Sequence, residues 1–256
     1  PLALMNPGDL LLLPAPGYPD YLSGVSLGRV AYETFPLTAE NDFLPDLDAI
    51  PEETARRAKF IYINYPNNPT GAVATKAFYE KLVAWAKTYE VGVVSDLAYG
   101  ALGYQGYENP SFLSTPGAKD VGIEFYTFSK TFNMAGWRLA FAAGNDQMIE
   151  ALNLIQDHLF VGIFPALQEA GIAALLDPKS EEAVAQLNAT YDSRRDAFVQ
   201  AAAKIGWQAF PSRGSFYAWM PVPEGYTSES FADLLLEKVH VAVAPGKGFG
   251  PAGDAY

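Results

Sequence analysis

Between about Leu10 and Ala143 the chain alternates short apolar, β-prone runs with stretches of helical periodicity, and this alternation limits it to a sheet built from βα units. Phe60 to Ile63 is one such run, closed by Asn64-Tyr65-Pro66-Asn67-Asn68-Pro69-Thr70-Gly71, whose Asn, Pro and Gly residues favour a turn. From Thr75, which offers an N-cap, Phe78, Leu82, Trp85 and Tyr89 recur at helical spacing and predict an amphipathic crossover helix. The next strand is expected over Val91 to Val94, ending near Ser95-Asp96, and a third over Ile123 to Phe128, ending at Ser129-Lys130. Parallel strands joined by such crossovers send their carboxyl ends to one edge, where open α/β sheets bind ligands. Asn68, Asp96 and Lys130 are therefore expected to converge.

Past Ala143 the pattern turns helical from Asp146 to Leu176, breaks at Asp177-Pro178, and resumes from Glu181 to about Lys204. A strand over Ser215 to Met220, a helix over Ser228 to Val239 and a short strand over Val241 to Ala244 then predict a smaller α+β unit. The expected division is a large domain over residues 1–178 and a smaller one over residues 179–256.

Charge narrows the partners. A formal net charge of −12 repels phosphate backbones, and the pairs Arg56-Arg57 and Arg194-Arg195 are too isolated to offset it, so nucleic acid is not expected. The chain has no cysteine to form disulfides, and with only His158 and His240 no soft-metal site is expected. Leu10 to Leu13 is too short to span a membrane, so the reading is a soluble, cytoplasmic protein. The chain opens at Pro1 and stops at Tyr256 just after a Gly/Pro-rich loop, which reads as a piece of a longer protein.

Lys130 is the residue with the most distinctive surroundings. From Phe125 to Trp137 nothing else ionises near neutrality, and Phe125, Tyr126, Phe128, Phe132 and Trp137 crowd the stretch. Burial disfavours an ammonium, and a neutral amine is what attacks an aldehyde to form an imine, so Lys130 is a candidate Schiff-base lysine. The same residues also fit a lysine whose stem packs on aromatics while its head reaches water. Asp96, at the end of an apolar strand, places an acid at the sheet's mouth, although lone acids there also serve as helix caps. Paired, the two suit pyridoxal 5′-phosphate (PLP), which needs a lysine for its aldehyde and an acid facing its pyridine nitrogen. Arg138, with Thr127 and Ser129 nearby, offers a phosphate grip, though alone it also fits a surface ion pair.

Three ordered motifs then carry a resemblance. Thr127-Phe128-Ser129-Lys130-Thr131-Phe132-Asn133-Met134-Ala135-Gly136-Trp137-Arg138, Asn68-Pro69-Thr70-Gly71 and Asp96-Leu97-Ala98-Tyr99 resemble the fold type I, class I/II PLP-dependent aminotransferases over nearly the whole chain. The resemblance is strongest to the branch holding LL-diaminopimelate and methionine-salvage 4-methylthio-2-oxobutanoate aminotransferases. It implies an α/β fold with a mostly parallel sheet flanked by helices and a smaller α+β C-terminal domain. It also implies that Lys130 binds PLP, Asp96 pairs with the pyridinium nitrogen, and Arg138, Thr127 and Ser129 hold the phosphate. Asn68 and Tyr99 would donate to the cofactor's phenolic oxygen, and Tyr18, within Pro14-Ala15-Pro16-Gly17-Tyr18-Pro19, would stack on its ring. The peptide bonds before Pro16 and Pro69 are expected to be cis. Phe216, in a turn resembling the one that faces substrate, would shape the pocket.

The implied activity moves an amino group between an L-amino acid and a 2-oxo acid, in a homodimer. A carbon-sulfur β-lyase on the same fold would share every motif, and a non-catalytic α/β binding fragment would bind no cofactor. Two family features are expected to lie outside these residues, a glycine-rich phosphate-binding segment before Pro1 and a carboxylate-binding arginine beyond Tyr256. Ala244 to Gly250 looks like a nucleotide loop but lacks the P-loop spacing and its Ser/Thr.

Overall fold

Leu10 to Leu13 place apolar side chains on both faces of a strand, the mark of a strand covered from both sides. In the computed structural model, which describes residues 1–210 and 212–256, Leu10 and Leu12 enter one core cluster and Leu11 and Leu13 the other. Between the two clusters runs a six-stranded sheet in the order β2-β1-β3-β4-β5-β6. Its strands are β1 (Leu10–Ala15), β2 (Ala31–Pro36), β3 (Ala58–Asn64), β4 (Gly92–Asp96), β5 (Gly122–Thr127) and β6 (Ala140–Gly144). The first five are parallel, and β6 returns antiparallel to β5.

The connecting helices are α1 (Tyr21–Gly28), α2 (Glu52–Arg57), α3 (Lys76–Tyr89), α4 (Ala118–Val121) and α5 (Phe128–Thr131). Thr75 caps α3 by accepting from the Phe78 N–H, 3.1 Å away, and the helix buries Phe78, Leu82 and Trp85 against one sheet face. Val25 of α1 covers the other face, joined by Met148, Ile149 and Leu152. Those three belong to α6 (Asp146–Ile155).

Glu124 is buried on β5, where it accepts hydrogen bonds from the Ser95 and Ser111 hydroxyls and the Phe112 N–H. Side chains alternate along a strand, so Ser95 points away from the face that Asp96 takes. The tie therefore lies behind the end of β4.

The single helical stretch expected from Asp146 to Leu176 is divided. A π-helical turn follows α6 over Gln156–Phe160, Val161 adopts φ 58°, and α7 restarts at Pro165–Leu176. Proline at the start of α7 costs no hydrogen bond, because the first turn of a helix has no partner for its N–H groups. Helix α8 (Ser180–Lys204) and α9 (Ser228–Val239) lie where expected, α9 opening on a capping box between Thr227 and Ser230.

The strands expected over Ser215 to Met220 and Val241 to Ala244 do not form. Among the described residues theirs join no ladder; the bonding there consists of single contacts, such as Phe210 N–H to the Trp219 carbonyl, Ser215 N–H to the Leu102 carbonyl and Val241 N–H to the Leu235 carbonyl, beside an isolated bridge from Gly103 to Gly214. A β-prone run without a neighbouring strand has nothing to satisfy its backbone groups. Cis bonds precede Pro16 and Pro69 as expected, and a further one precedes Pro66. No helix among the described residues is long and apolar enough to cross a membrane.

Candidate active site

The parallel strands carry their polar ends to one edge. Asn64, the last residue of β3, pairs in register with Asp96, the last of β4, and Asp96 pairs with Phe125 of β5. One residue past β5 the chain turns into α5, with the Thr127 hydroxyl accepting from the Ser129 N–H as its cap, 3.2 Å away. That turn sets Lys130 beside the same edge. The resulting cleft, about 340 Å³, is lined by Tyr18, Asn68, Asp96, Tyr99, Thr127, Ser129, Lys130 and Arg138, together with Asn64 and Tyr217. All eight cofactor-site residues expected from the sequence thus meet in one place.

Phe216 does not line this cleft, and Tyr217 forms the wall there instead. Phe216 stands behind, its ring 5.3 Å from Lys130 Nζ and edge-on to Tyr99 at 5.2 Å. The Tyr99 ring is 5.8 Å from the same amine. Lys130 is half-buried between two aromatic faces, and among the described residues no carboxylate pairs with it.

Asp96 is fixed from both sides. Tyr21 donates to its Oδ2 at 2.8 Å and the Ala98 N–H to its Oδ1 at 3.1 Å. Burial pushes the carboxyl above the usual carboxylate range, while these two hydrogen bonds pull in the opposite direction. Burial also pushes Tyr21 well above an ordinary phenol, helped by the neighbouring Asp96 charge. The Tyr21 ring packs edge-on against both Tyr18 and Tyr62. Tyr18 is pushed up to about 12, first by its hydrogen bond to Asp20 and then by burial.

Asn64 ties two of the site's backbones together. Its amide donates to the Asp96 carbonyl at 2.9 Å and accepts from the Asn68 N–H at 2.7 Å. Neither Tyr21 nor Asn64 stood out in the sequence. Asn64 sits at a strand end inside an Asn/Pro run and could have been singled out by that position, whereas the Tyr21 contact spans 75 residues and leaves no local trace.

At the far end of the cleft Thr127 Oγ1 lies 2.9 Å from Ser129 Oγ, and Arg138 donates to the Ala135 carbonyl at 2.9 Å. Among the described residues no carboxylate neutralises Arg138. The cleft is therefore polarised, with a buried acid at one end and a guanidinium with two hydroxyls at the other. Asn68 Oδ1 is buried without a hydrogen-bond partner, an acceptor that the protein leaves unsatisfied, while the donor of the same amide is Nδ2. A pyridine ring carrying a phosphate, a phenolic oxygen and an aldehyde matches this donor set.

A mostly parallel α/β sheet presenting a lysine, a buried acid and an anion grip at one edge defines a fold type I PLP-dependent transferase. The family model for aminotransferase class I and II matches residues 1–254, and the chain belongs to that family, whose cofactor is PLP. L-Glutamine–4-(methylsulfanyl)-2-oxobutanoate aminotransferase of Bacillus subtilis is 56% identical across the whole chain, which covers 64% of that protein. LL-diaminopimelate aminotransferase of Moorella thermoacetica is 49% identical, again over the whole chain and 65% of the relative. The substrate-bound BacF structure from Bacillus subtilis superposes with a TM-score of 0.95 at 46% identity, over 99% of this chain and 64% of that one. The chain thus spans about 64% of the length of these relatives.

Proposed function

We propose that this protein is a PLP-dependent aminotransferase moving an amino group between an L-amino acid and a 2-oxo acid. The observation that carries the reading is the meeting of Lys130, Asp96 and Arg138 around one cleft. When bound, PLP supplies an aldehyde that takes up amino groups and a ring that draws in electrons from a substrate's α carbon. Lys130 Nζ would hold the cofactor through its aldehyde, and its amine is the group that would accept a substrate's α proton and give it back. Asp96 holds a proton on the pyridine nitrogen, which the Tyr21 and Ala98 bonds favour by steadying its anion. Arg138, Thr127 and Ser129 bind the phosphate, Asn68 and Tyr99 donate to the phenolic oxygen, and Tyr18 packs on the ring. Phe216 shapes the substrate side from behind Tyr217.

We read residues 1–178 as the cofactor-binding domain and residues 179–256 as part of a smaller one, a division supported by the sheet lying wholly in the first span. The reading extends to a homodimer, supported by the exposed apolar Leu159, Phe160, Val161 and Phe164 beside the π turn. It also extends to the cytoplasm, with which the cysteine-free chain is in keeping.

The test is direct. Incubated with PLP and reduced with borohydride, the protein should carry a fixed adduct on Lys130, and Lys130→Ala should abolish turnover while the cofactor still docks. A colourless protein without adduct, or a Lys130→Ala variant with wild-type transamination, would overturn the assignment. Pyruvate and ammonia released from a cysteine thioether without an oxo-acid acceptor would replace it with a β-lyase.

A further inference from the structure

Tyr217 reaches the cleft from a turn far along the chain, and every other residue lining that cleft comes from residue 138 or earlier. The turn that carries it is firmly anchored. Ser212 Oγ donates to the Gly214 carbonyl at 2.6 Å within the turn and lies 3.2 Å from the Gly71 carbonyl oxygen, the Tyr104 N–H donates to the Arg213 carbonyl at 3.0 Å, and the Ser215 N–H to the Leu102 carbonyl at 3.3 Å. A Cβ on Gly214 would stand 2.6 Å from Pro66 Cγ and 2.9 Å from the Leu102 carbonyl oxygen, so the turn lies against the loop that presents Asn68. This close seating brings the Tyr217 hydroxyl to 3.1 Å from that of Tyr99, with either oxygen free to be the donor.

A hydroxyl pair with that freedom has two arrangements. With no anion nearby, Tyr99 satisfies its buried hydrogen on Tyr217. Facing an anionic oxygen in the cleft, Tyr99 turns its hydrogen toward the anion, and its own oxygen becomes the acceptor for Tyr217. Hydrogen bonds in such a chain polarise one another, so a Tyr99 that accepts is a stronger donor than one that does not.

We infer that Tyr217 is a positioning residue, donating to Tyr99 so that the Tyr99 hydrogen is aimed at the phenolic oxygen of bound PLP. This rests on the cofactor reading above. The other titratable groups that face Tyr99 are Asp96 at the end of β4, Tyr18 before α1, Tyr21 at the start of α1 and Lys130 on α5. Tyr18 itself also feels Tyr217, and the Tyr99→Phe background, which keeps that influence, separates it from the hydroxyl pair. Weakening the Tyr99 donor leaves more charge on the phenolic oxygen, which holds the proton shared with Lys130 Nζ more tightly.

The experiment titrates the visible absorption band of the lysine-bound cofactor in the loaded protein, comparing wild type with Tyr217→Phe, Tyr99→Phe and the double variant. Tyr217→Phe should raise the midpoint by roughly 0.2 to 0.6 pH unit. Tyr99→Phe should raise it further, and adding Tyr217→Phe to Tyr99→Phe should change nothing more. An unmoved midpoint in Tyr217→Phe, or full additivity in the double variant, overturns the role. If Tyr217→Phe fails to hold cofactor, 3-fluorotyrosine at this position keeps the ring and makes a stronger donor. The midpoint should then fall, and a midpoint equal to wild type overturns the role. A wild-type protein that forms no borohydride-fixed adduct on Lys130 defeats the cofactor reading and this role with it, whereas an adduct with an unmoved midpoint defeats only the role of Tyr217.

Discussion

The sheet region up to Gly144 and the helical region after it are built from similarly apolar sequence, yet they dispose of that apolarity differently. Among the described residues, nearly every buried hydrophobic side chain comes from the first region, and only Ala202 and Trp219 come from beyond Leu139. Most of the large exposed hydrophobics lie in the second, Leu154, Phe160, Val161, Phe164, Leu176, Ile205 and Leu236 among them, although Leu2, Leu22 and Leu27 of the first are exposed too. A strand buried on both faces is enclosed by the helices that connect it to its neighbours. A helix with one apolar face is enclosed only if some other surface arrives. The first region therefore holds itself together, and it also supplies all but one of the residues around the cleft.

If chemistry resides in the first region, its loss should be largest there. Asp96→Asn should lower transamination by roughly a hundredfold to a thousandfold, since a preorganised charge facing the reacting ring is removed. Steady-state rates of the cofactor-loaded protein check this, and a change under threefold would show that the acid is not part of the machinery.

Packing should separate the regions next. Leu82 of α3 is fully enclosed, whereas Leu236 of α9 is 53% exposed. Leu82→Ala should cost about 3 kcal/mol of unfolding free energy, and Leu236→Ala less than about 0.5 kcal/mol. Equal losses in denaturant titrations would mean that Leu236 is covered in solution and the contrast fails.

The smallest effect lies in the pH dependence of stability without cofactor. Burial raises the folded-state pKa of Asp96, so the folded protein binds that proton more tightly than the unfolded chain does. The resulting stabilisation is complete below the unfolded value of about 3.9 and is lost as the pH rises through the folded value. Asp96→Asn should match wild type in acid and gain on it above that window, as read from melting temperature against pH. Parallel curves would show that burial does not burden this carboxyl.

What could be read from the sequence follows the same division. The ends of β3, β4 and β5 were legible because a buried strand is a compact apolar run and the residues that stop it are polar or turn-forming. From those ends the convergence of Asn68, Asp96 and Lys130 followed by topology. The strands expected at Ser215 to Met220 and Val241 to Ala244 failed because β-propensity describes a residue's fitness for a sheet and says nothing about whether a second strand is there. The division of the long helix was likewise hidden, since Gln156 to Phe160 keeps helical composition while its hydrogen bonding widens to the π pattern. Tyr21 and Tyr217 escaped for another reason. Each acts through a contact with a residue distant in sequence, 75 positions in the case of Tyr21 and Asp96 and 118 for Tyr217 and Tyr99.

The carboxyl of Glu124 acts as a hidden rivet on the reverse side of the sheet. Because its partners lie on two separate stretches of chain, Ser95 on β4 and the adjacent Ser111 and Phe112 on the loop before α4, sliding β4 against β5 by one step would break the Ser95 bond along with the ladder and strand a polar group in the interior. Asp96 is the very next residue after Ser95. The alignment of the edge that carries the cleft is thus guarded by a residue that does not line it, and damage to the rivet should be noticed first as a loosened grip on whatever the cleft binds.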